Sequence, residues 1–245
     1  MNLVWKETLK VHTYDVDFNN KIKISTIFNY MQECATNHAG HLNLGFNKLS
    51  NQKSFWVLSR AQINIREYPN KGDEILVETW SKGADKIFAL RDFKIYNSKK
   101  EIIAKATTAW LIVDIQSMRP QRPNFIGDNN YSLKNEYAIE KVPGKISKID
   151  SKKLIFEKNV SYSDIDINQH VNNVKYVELA IDSFSKEAFL EKNIKEFQIN
   201  FLLECKYGQV IEVHRGYDQI KEIDYIEGIS KDNVKKVFQA TVKWD

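Results

Sequence analysis

A short segment in the second half of the chain carries most of its candidate chemistry. Residues 166–173 read DINQHVNN and combine one carboxylate, one histidine and four amides. A histidine with acidic and amide neighbours can transfer protons during a reaction. At the start of a helix, free N–H groups and the positive dipole end stabilise a developing negative charge. The segment therefore predicts hydrolysis through an oxyanion, with His170 at its centre.

Two structural explanations compete for the same segment. Asn172 or Asn173 can cap a helix that begins near Val174, which explains one or two of the polar side chains but not His170. The spacing Asp-x-Asp-x-Asn also begins a calcium loop, which needs glycine at its sixth position and glutamate at its twelfth. Counting from Asp164, those positions hold Gln169 and Lys175, so a calcium loop is excluded.

Other metal and cofactor motifs are missing from the sequence. His38 and His41 are three residues apart without an evident third ligand, and a catalytic zinc needs three protein ligands. There is no G-x-S-x-G nucleophile elbow, no G-x-G-x-x-G and no P-loop. The sequence therefore predicts neither a metal nor a cofactor.

The polar segment has a degenerate copy in the first half, DFNNKIKI at residues 17–24. Lys21 stands there at the position of His170. Aligned pairs recur in the same order along the two halves, with offsets that shrink from 149 to 136 to 134 residues: Asp15 with Asp164, Asp17 with Asp166, Asn19 with Asn168, Gln62 with Gln198, and Trp110 with Trp244. An ordered series of this kind indicates a duplicated unit with small loop deletions. Two such units can bury a shared face, as a dimer does.

Each copy repeats the same elements after its polar segment. Apolar residues at helical spacing predict a helix of about four turns in each half: Ile24, Ile27, Phe28, Met31 and Ala35, then Val174, Val177, Ala180, Ile181 and Phe184. Strand-like runs follow at residues 75–80, 88–96, 102–113, 197–205, 210–215 and 234–244. The predicted class is α+β, with one long helix against an antiparallel sheet in each unit. The predicted units are residues 1–140 and 149–245, and a proline-containing connector covers about 115–148.

Composition excludes several classes of protein. With 42% hydrophobic residues the chain can build a core, and its net charge of +4 is spread along its length. No nucleic-acid motif occurs, and no apolar run reaches the roughly 18 residues of a membrane span. The N-terminus has no apolar signal region, and two cysteines cannot form a disulfide framework. These features predict a cytoplasmic protein.

Residues 164–176, DIDINQHVNNVKY, followed by residues 202–208, LLECKYG, resemble the signature of acyl-acyl carrier protein thioesterases. The resemblance extends to VETW at residues 77–80 and to Met-Arg-Pro at 118–120. It implies a tandem (double) hotdog fold in which a curved sheet wraps each helix. It also implies hydrolysis of fatty acyl carrier thioesters to end fatty acid synthesis, with acyl carrier protein as the partner. The site residues carried over are Asp166, Asn168, His170, Glu204 and Cys205.

The first half departs from this pattern at two places. Lys21 aligns with His170, and Tyr68-Pro69 aligns with Glu204-Cys205. The resemblance then implies that the first half has lost the chemistry and holds the acyl chain, along a helix that carries Phe28 and Met31.

The roles of Glu204 and Cys205 follow from alternation along the predicted strand. Successive side chains of a strand point to opposite faces, so Cys205 shares the face of Phe197 and Ile199, and Glu204 shares that of Gln198. Apolar surroundings would raise the pKa of the Cys205 thiol. We therefore expect Glu204 or Asp166 to act as base or nucleophile, with His170 and Asn168 orienting the reacting groups. A bulge at the end of the strand would reverse this choice.

An acidic carrier protein requires a basic docking surface. Arg119 and Arg122 in the connector are candidates, as are Lys82 and Lys86, although solvated surface lysines are the simpler explanation. Two other functions stay open: an acyl-coenzyme A thioesterase of the same fold, and a non-catalytic acyl-binding module. The sequence also leaves open the acyl chain length and the presence of a homodimer.

Overall fold

The computed structural model describes residues 2–124, 133 and 136–245. The chain divides into two units, Met1–Pro143 and Gly144–Asp245. Part of the predicted connector, residues 125–132, 134 and 135, lies outside the described residues. Among the helices that are described, none is long and apolar enough to cross a membrane.

The first unit consists of an antiparallel sheet and one long helix. Its elements are β1 (Val4–Lys10), a 3₁₀ turn (Thr13–Asp15), α1 (Ile24–His41), α2 (Phe46–Asn51), β2 (Ser54–Ile65), β3 (Glu74–Asp85), β4 (Phe88–Tyr96), β5 (Ile102–Asp114) and β6 (Pro120–Gln121). The strand order is β1-β3-β4-β5-β2, with β6 paired to β5. Helix α1 packs against β1 and β3.

The second unit repeats this topology. Its elements are β7 (Lys153–Asn159), a 3₁₀ turn (Tyr162–Asp164), α3 (Asn173–Ile181), α4 (Lys186–Glu191), β8 (Ile194–Phe201), β9 (Val210–Asp218), β10 (Ile223–Ser230) and β11 (Lys236–Trp244). The strand order is β7-β9-β10-β11-β8, and α3 packs against β10. Strand for strand this is the order of the first unit, as the internal repeat in the sequence predicts.

Helix α1 forms where the apolar stripe predicts it. The five stripe residues from Ile24 to Ala35 are all buried, which is the arrangement that a 3.6-residue period produces on one face of a helix. The helix has 18 residues, about five turns rather than the predicted four. It ends at His41, where the N–H of Leu42 donates to the His38 carbonyl.

Helix α3 is shorter than the apolar stripe of the second half predicts. It has nine residues and ends at Ile181, so Phe184 lies beyond it. Ser183 Oγ donates to the Ala180 carbonyl at 2.7 Å, and Arg215 Nη1 donates to the Ser183 carbonyl. These bonds turn the chain out of the helix, and Phe184 instead packs edge-on against Trp244 with ring centroids 5.0 Å apart.

The strand predictions are right in position but not always in extent. Strand β8 ends at Phe201 instead of residue 205. Strand β11 begins at Lys236 instead of Val234, because Val234 lies in a turn with φ 55° and is 79% exposed. Strands β1, β2, β6, β7 and β10 were not predicted. In β1 and β7 half-exposed and exposed residues dominate and lysines interrupt the run, which weakens the apolar signal.

Lys82 is buried, so its prediction as a docking residue was wrong. Its Nζ lies 3.6 Å from Asp92 Oδ2 and also donates to the Ile139 carbonyl. Asp92 is fully buried and accepts from Thr107 Oγ1 at 2.6 Å and from the Ala138 N–H at 2.7 Å. A buried carboxylate needs such partners, and Lys82 supplies the compensating charge. Lys86 is exposed, in a turn.

His38 is a structural residue of the first unit. Arg91 Nη1 lies 2.9 Å from His38 Nδ1, and His38 Nε2 lies 3.2 Å from the Asn2 carbonyl oxygen. Arg91 can only donate, so Nδ1 accepts and Nε2–H donates to Asn2. Burial, and then the charge of Arg91, lower the pKa of His38 to about 4. The neutral imidazole is thus part of the core.

We expect the first unit to lose stability in mild acid because of His38. Unfolded histidine titrates near pH 6.5, and the folded pKa is about 4. Between these values the unfolded chain binds a proton that the folded chain does not, so the free energy of unfolding falls as pH falls. The loss is on the order of 1–3 kcal/mol. Urea unfolding of wild type and His38→Gln at pH 7.5 and 4.5 tests this, and an equal loss in both proteins would contradict it.

Candidate active site

The polar loop of the second unit is a closed hydrogen-bonded turn. The Asp166 N–H donates to the His170 carbonyl at 2.9 Å, and the Gln169 N–H donates to the Asp166 carbonyl at 2.9 Å. Asp166 Oδ1 accepts from the Asn168 N–H at 2.8 Å. Gln169 has a left-handed backbone, φ 63°, which is uncommon for a residue other than glycine. The side chain of Asp166 therefore holds the loop together.

The degenerate loop of the first unit has the same geometry. The Asp17 N–H donates to the Lys21 carbonyl at 2.8 Å, and Asp17 Oδ1 accepts from the Asn19 N–H at 2.8 Å. Asn20 has φ 63°, as Gln169 does. The loop thus folds in the same way whether its fifth residue is lysine (Lys21) or histidine (His170). Because Asp17 makes these bonds where no histidine is present, the matching bonds of Asp166 belong to the fold of the loop.

The loop leads directly into α3. The Asn172 N–H donates to the Asp164 carbonyl at 2.9 Å, and Asn172 Oδ1 accepts from the Val174 N–H at 2.9 Å. Asn172 is therefore the N-cap, as the first of the two predicted alternatives. The helix begins at Asn173, three residues after His170, so the positive end of its dipole lies beside the histidine in the chain.

His170 and Glu204 form a pair in the second unit. His170 Nδ1 lies 3.4 Å from Glu204 Oε2. The two side chains are 28% and 47% exposed, so water reaches both of them. The distance is slightly longer than the roughly 2.6–3.2 Å over which a proton passes directly, so a small side-chain shift or one bridging water would let the carboxylate orient the imidazole and exchange a proton with it. A histidine beside a carboxylate is the combination of groups for which the sequence predicts hydrolysis.

Glu204 lies beyond the end of β8, in an irregular segment. The N–H groups of Leu202 and Leu203 both donate to the Val237 carbonyl, at 2.8 and 3.1 Å. Two residues facing one is the arrangement of a bulge, and it ends the strict alternation of the strand. Glu204 nevertheless points outward, while Cys205 is fully buried. The predicted sidedness of Glu204 and Cys205 is therefore confirmed, although the regular strand from which it was argued has ended.

Two hydrogen bonds to its backbone groups hold Cys205 in place. Its carbonyl accepts from the Val171 N–H at 2.8 Å, and its N–H donates to Tyr176 Oη at 3.0 Å. Burial raises the pKa of the Cys205 thiol. A thiol that stays protonated is a weak nucleophile. The predicted buried thiol with a raised pKa is confirmed.

The first unit keeps this framework without the reactive pair. The Ile22 N–H donates to the Pro69 carbonyl at 2.8 Å, which matches the bond from Val171 to Cys205. Lys21 and Tyr68 stand where His170 and Glu204 stand in the second unit. The comparison separates the bonds that fold the loop from the side chains that distinguish the second unit.

The remaining predicted residues lie in different parts of the chain. Asn168 is exposed on the loop of the second unit. Phe28 and Met31 are buried on α1 of the first unit. Arg119 and Arg122 are exposed beside β6. The catalytic, acyl-binding and docking roles of these residues stay predictions. Sequence reasoning did not single out Tyr176, although it stands in the quoted signature.

Two family models match the chain. The acyl-ACP thioesterase N-terminal domain matches residues 2–124, and the acyl-ACP thioesterase C-terminal domain matches residues 147–245. Each match covers most of one structural unit. The second contains both His170 and Glu204.

Curated relatives from plants are similar over most of this chain. An acyl-[acyl-carrier-protein] hydrolase of Cuphea viscosissima is 28% identical over 235 residues, 90% of this chain and 56% of the relative. An oleoyl-acyl carrier protein thioesterase of Coriandrum sativum is 29% identical over 237 residues, 86% of this chain and 62% of the relative. The chain thus spans little more than half the length of these relatives. Both are named chloroplastic, and the cytoplasmic location of this chain stays a prediction.

Solved structures match the whole chain. An acyl-ACP thioesterase from Bacteroides thetaiotaomicron has a TM-score of 0.87 and 25% identity, and the match covers 99% of this chain and 98% of the other. A 12:0-ACP thioesterase from Umbellularia californica has a TM-score of 0.87 and 21% identity, with 100% and 98% covered. These matches confirm the predicted α+β tandem hotdog fold. Since the two family models together match far more than half of its residues, the chain belongs to the acyl-ACP thioesterase family.

Proposed function

We propose that this protein hydrolyses fatty acyl-acyl carrier protein thioesters to a free fatty acid and the carrier protein, and so ends the synthesis of the acyl chain. The pair of His170 Nδ1 and Glu204 Oε2, 3.4 Å apart beside the start of α3, is the observation that carries the proposal. Family membership and the names of the plant relatives support the reaction and its substrate class.

The proposed reaction uses Glu204 as a general base. Glu204 takes a proton from water, the water oxygen bonds to the thioester carbonyl carbon, and the carbon–sulfur bond then breaks. His170 lies within reach of the carboxylate and passes the proton to the departing sulfur, which leaves as a thiol. Water supplies the oxygen of the acid and both protons needed, so the proposed steps balance without a further reactant.

The proposed oxyanion site is the N-terminal end of α3. Negative charge develops on the carbonyl oxygen during attack, and the positive dipole end of a helix stabilises such a charge. The Asn172 and Val174 N–H groups already donate within the chain, so the proposal relies on the helix dipole rather than on these two groups. The exposed amide of Asn168 lies on the loop that precedes this helix and serves to orient the thioester. Asp166 keeps the loop folded through its bond to the Asn168 N–H.

The first unit is proposed to hold the acyl chain. It lacks the reactive pair, and α1 presents a continuous apolar stripe that includes Phe28 and Met31.

The exposed Arg119 and Arg122 are proposed to contact the acidic carrier protein. Charge reversal at both arginines should then raise KM for carrier thioesters more than for coenzyme A thioesters.

The proposal is tested by incubating the purified protein with carrier thioesters of C8 to C18 acyl chains. Free thiol and free fatty acid should appear in equal amounts, and coenzyme A thioesters of the same chains should react more slowly. Faster hydrolysis of the coenzyme A substrates would instead indicate an acyl-coenzyme A thioesterase. Binding of acyl chains with no thiol release would indicate an acyl-binding module and overturn the proposal.

Cys205→Ala should leave hydrolysis largely intact. Because the thiol is buried and its pKa is raised, we expect kcat to stay within about threefold of wild type. The smaller side chain should lower the free energy of unfolding by about 1 kcal/mol. Steady-state kinetics and thermal melting measure the two effects. Loss of turnover in a variant that melts like wild type would show that the thiol takes part in the reaction. The proposed reaction, with Glu204 as the general base, would then be wrong.

A further inference from the structure

Tyr176 connects α3 to the segment that carries Glu204. The residue is buried, and its hydroxyl oxygen accepts the Cys205 N–H at 3.0 Å. Burial and the neighbouring Cys205 raise the pKa of the Tyr176 hydroxyl, so it stays neutral. A neutral hydroxyl can accept this bond and still donate its own proton.

An aromatic layer fixes the ring of Tyr176. Its centroid lies 6.2 Å from that of Phe201 and 5.8 Å from that of Phe238, both in tilted arrangements. Phe238 in turn lies against Gly228, where an added Cβ would collide with the Phe238 ring. The glycine is therefore required by close packing. The position of the Tyr176 hydroxyl is set by this layer and does not depend on solvent.

The hydroxyl bond acts where the sheet no longer directs the chain. After the bulge at Leu202 and Leu203, Cys205 is held by the Tyr176 hydroxyl at its N–H and by Val171 at its carbonyl. Glu204 immediately precedes the first bond, and His170 immediately precedes Val171. The bonds at the Cys205 N–H and at the Cys205 carbonyl therefore fix the backbone next to Glu204 and next to His170. They set the points from which the two reactive side chains extend.

The first unit lacks both halves of this contact. At the position of Tyr176 it has Ile27, and at the position of Cys205 it has Pro69, which has no N–H. The bond from Ile22 to the Pro69 carbonyl persists, so the loop itself does not need the hydroxyl. The tyrosine contact is thus found in the unit that has the reactive pair, and the shared fold of the loop forms without it.

We infer that Tyr176 is a positioning residue, whose hydroxyl holds the Cys205 backbone so that the Glu204 carboxylate faces His170. The inference rests on the proposed function, because it assigns Tyr176 to the hydrolysis of the same thioesters. Tyr176 acts through Glu204 and does not touch the reacting atoms.

The test compares Tyr176→Phe with Tyr225→Phe. Tyr225 is also buried in the second unit, and its hydroxyl contacts Glu227 and Gln239. Each variant keeps the ring and removes one buried hydroxyl. Tyr176→Phe should lower kcat 10- to 100-fold with KM within twofold, whereas Tyr225→Phe should leave kcat within twofold. If both variants lower kcat in proportion to their loss of melting temperature, Tyr176 is only structural and the inference is wrong.

A double variant identifies the group through which Tyr176 acts. In a Glu204→Gln background, Tyr176→Phe should lower kcat by less than twofold, because the carboxylate it positions is already absent. A full additional 10-fold loss would overturn the inference. Phe238→Leu, which keeps the hydroxyl but loosens the ring, should lower kcat about 10-fold. Should Tyr176→Phe fail to fold, an unchanged kcat in Phe238→Leu would overturn the inference instead.

The wild-type protein separates this inference from the proposed function. Wild type that releases no thiol from carrier thioesters contradicts the proposed function and also overturns the inference that rests on it. Active wild type with an equally active, folded Tyr176→Phe leaves the function standing and removes the positioning role.

Discussion

His170→Ala is expected to lower kcat for carrier thioesters by about 10³-fold, within the range of general acid–base catalysis. The imidazole lies 3.4 Å from Glu204, and the variant leaves that carboxylate without its partner. The side chain is partly exposed, so its removal should cost little stability. The measurement is thiol release under saturating substrate, with melting temperature as the check on folding.

Lys21→Ala is the matched control for His170→Ala. Lys21 occupies the same place in the same loop, and its carbonyl accepts the same bond from Asp17 that the His170 carbonyl accepts from Asp166. Its removal should change kcat by less than twofold. Near wild-type turnover in His170→Ala would show that the histidine takes no part in the reaction. Equal losses of kcat in both variants would show that the substitutions act by disturbing the fold of the loops.

The sequence supports much of this site because its elements are local. Loop, cap and helix start fall within residues 164–174, and each depends on bonds between near neighbours, such as Asn172 with Val174. The duplication adds a comparison that a lone sequence rarely offers. Lys21 against His170 indicates which half keeps the histidine, and no coordinates are needed for that inference.

Features that depend on distant residues were out of reach. The end of α3 depends on Arg215, which lies on strand β9 and donates to the Ser183 carbonyl. The burial of Lys82 depends on Asp92 and on the backbone of Ile139. The role inferred for Tyr176 depends on a bulge at Leu202 and Leu203 that no spacing rule predicts. In each case a hydrogen bond between residues distant in the sequence determined the local structure, which the intrinsic preferences of neighbouring residues do not specify.

Glu204→Gln should lower kcat by about 10³-fold, because an amide has nearly the shape of the carboxylate but cannot take a proton from water. Glu157→Gln, at an exposed carboxylate paired with Lys231, is a control that removes the same charge elsewhere in the second unit. Its kcat should stay within twofold. Measurement of kcat and KM from pH 5 to 9 should show the loss in Glu204→Gln at every pH.

Asp166→Asn decides between the two carboxylates of the site. Asparagine keeps an oxygen that can accept the Asn168 N–H, the bond that Asp17 also makes in the half without the histidine. If Asp166 only folds the loop, Asp166→Asn should retain at least tenfold more kcat than Glu204→Gln. The reverse order would make Asp166 the base and Glu204 its support. Because the first unit keeps the aspartate and has neither the histidine nor the glutamate, we expect the proton to pass to Glu204.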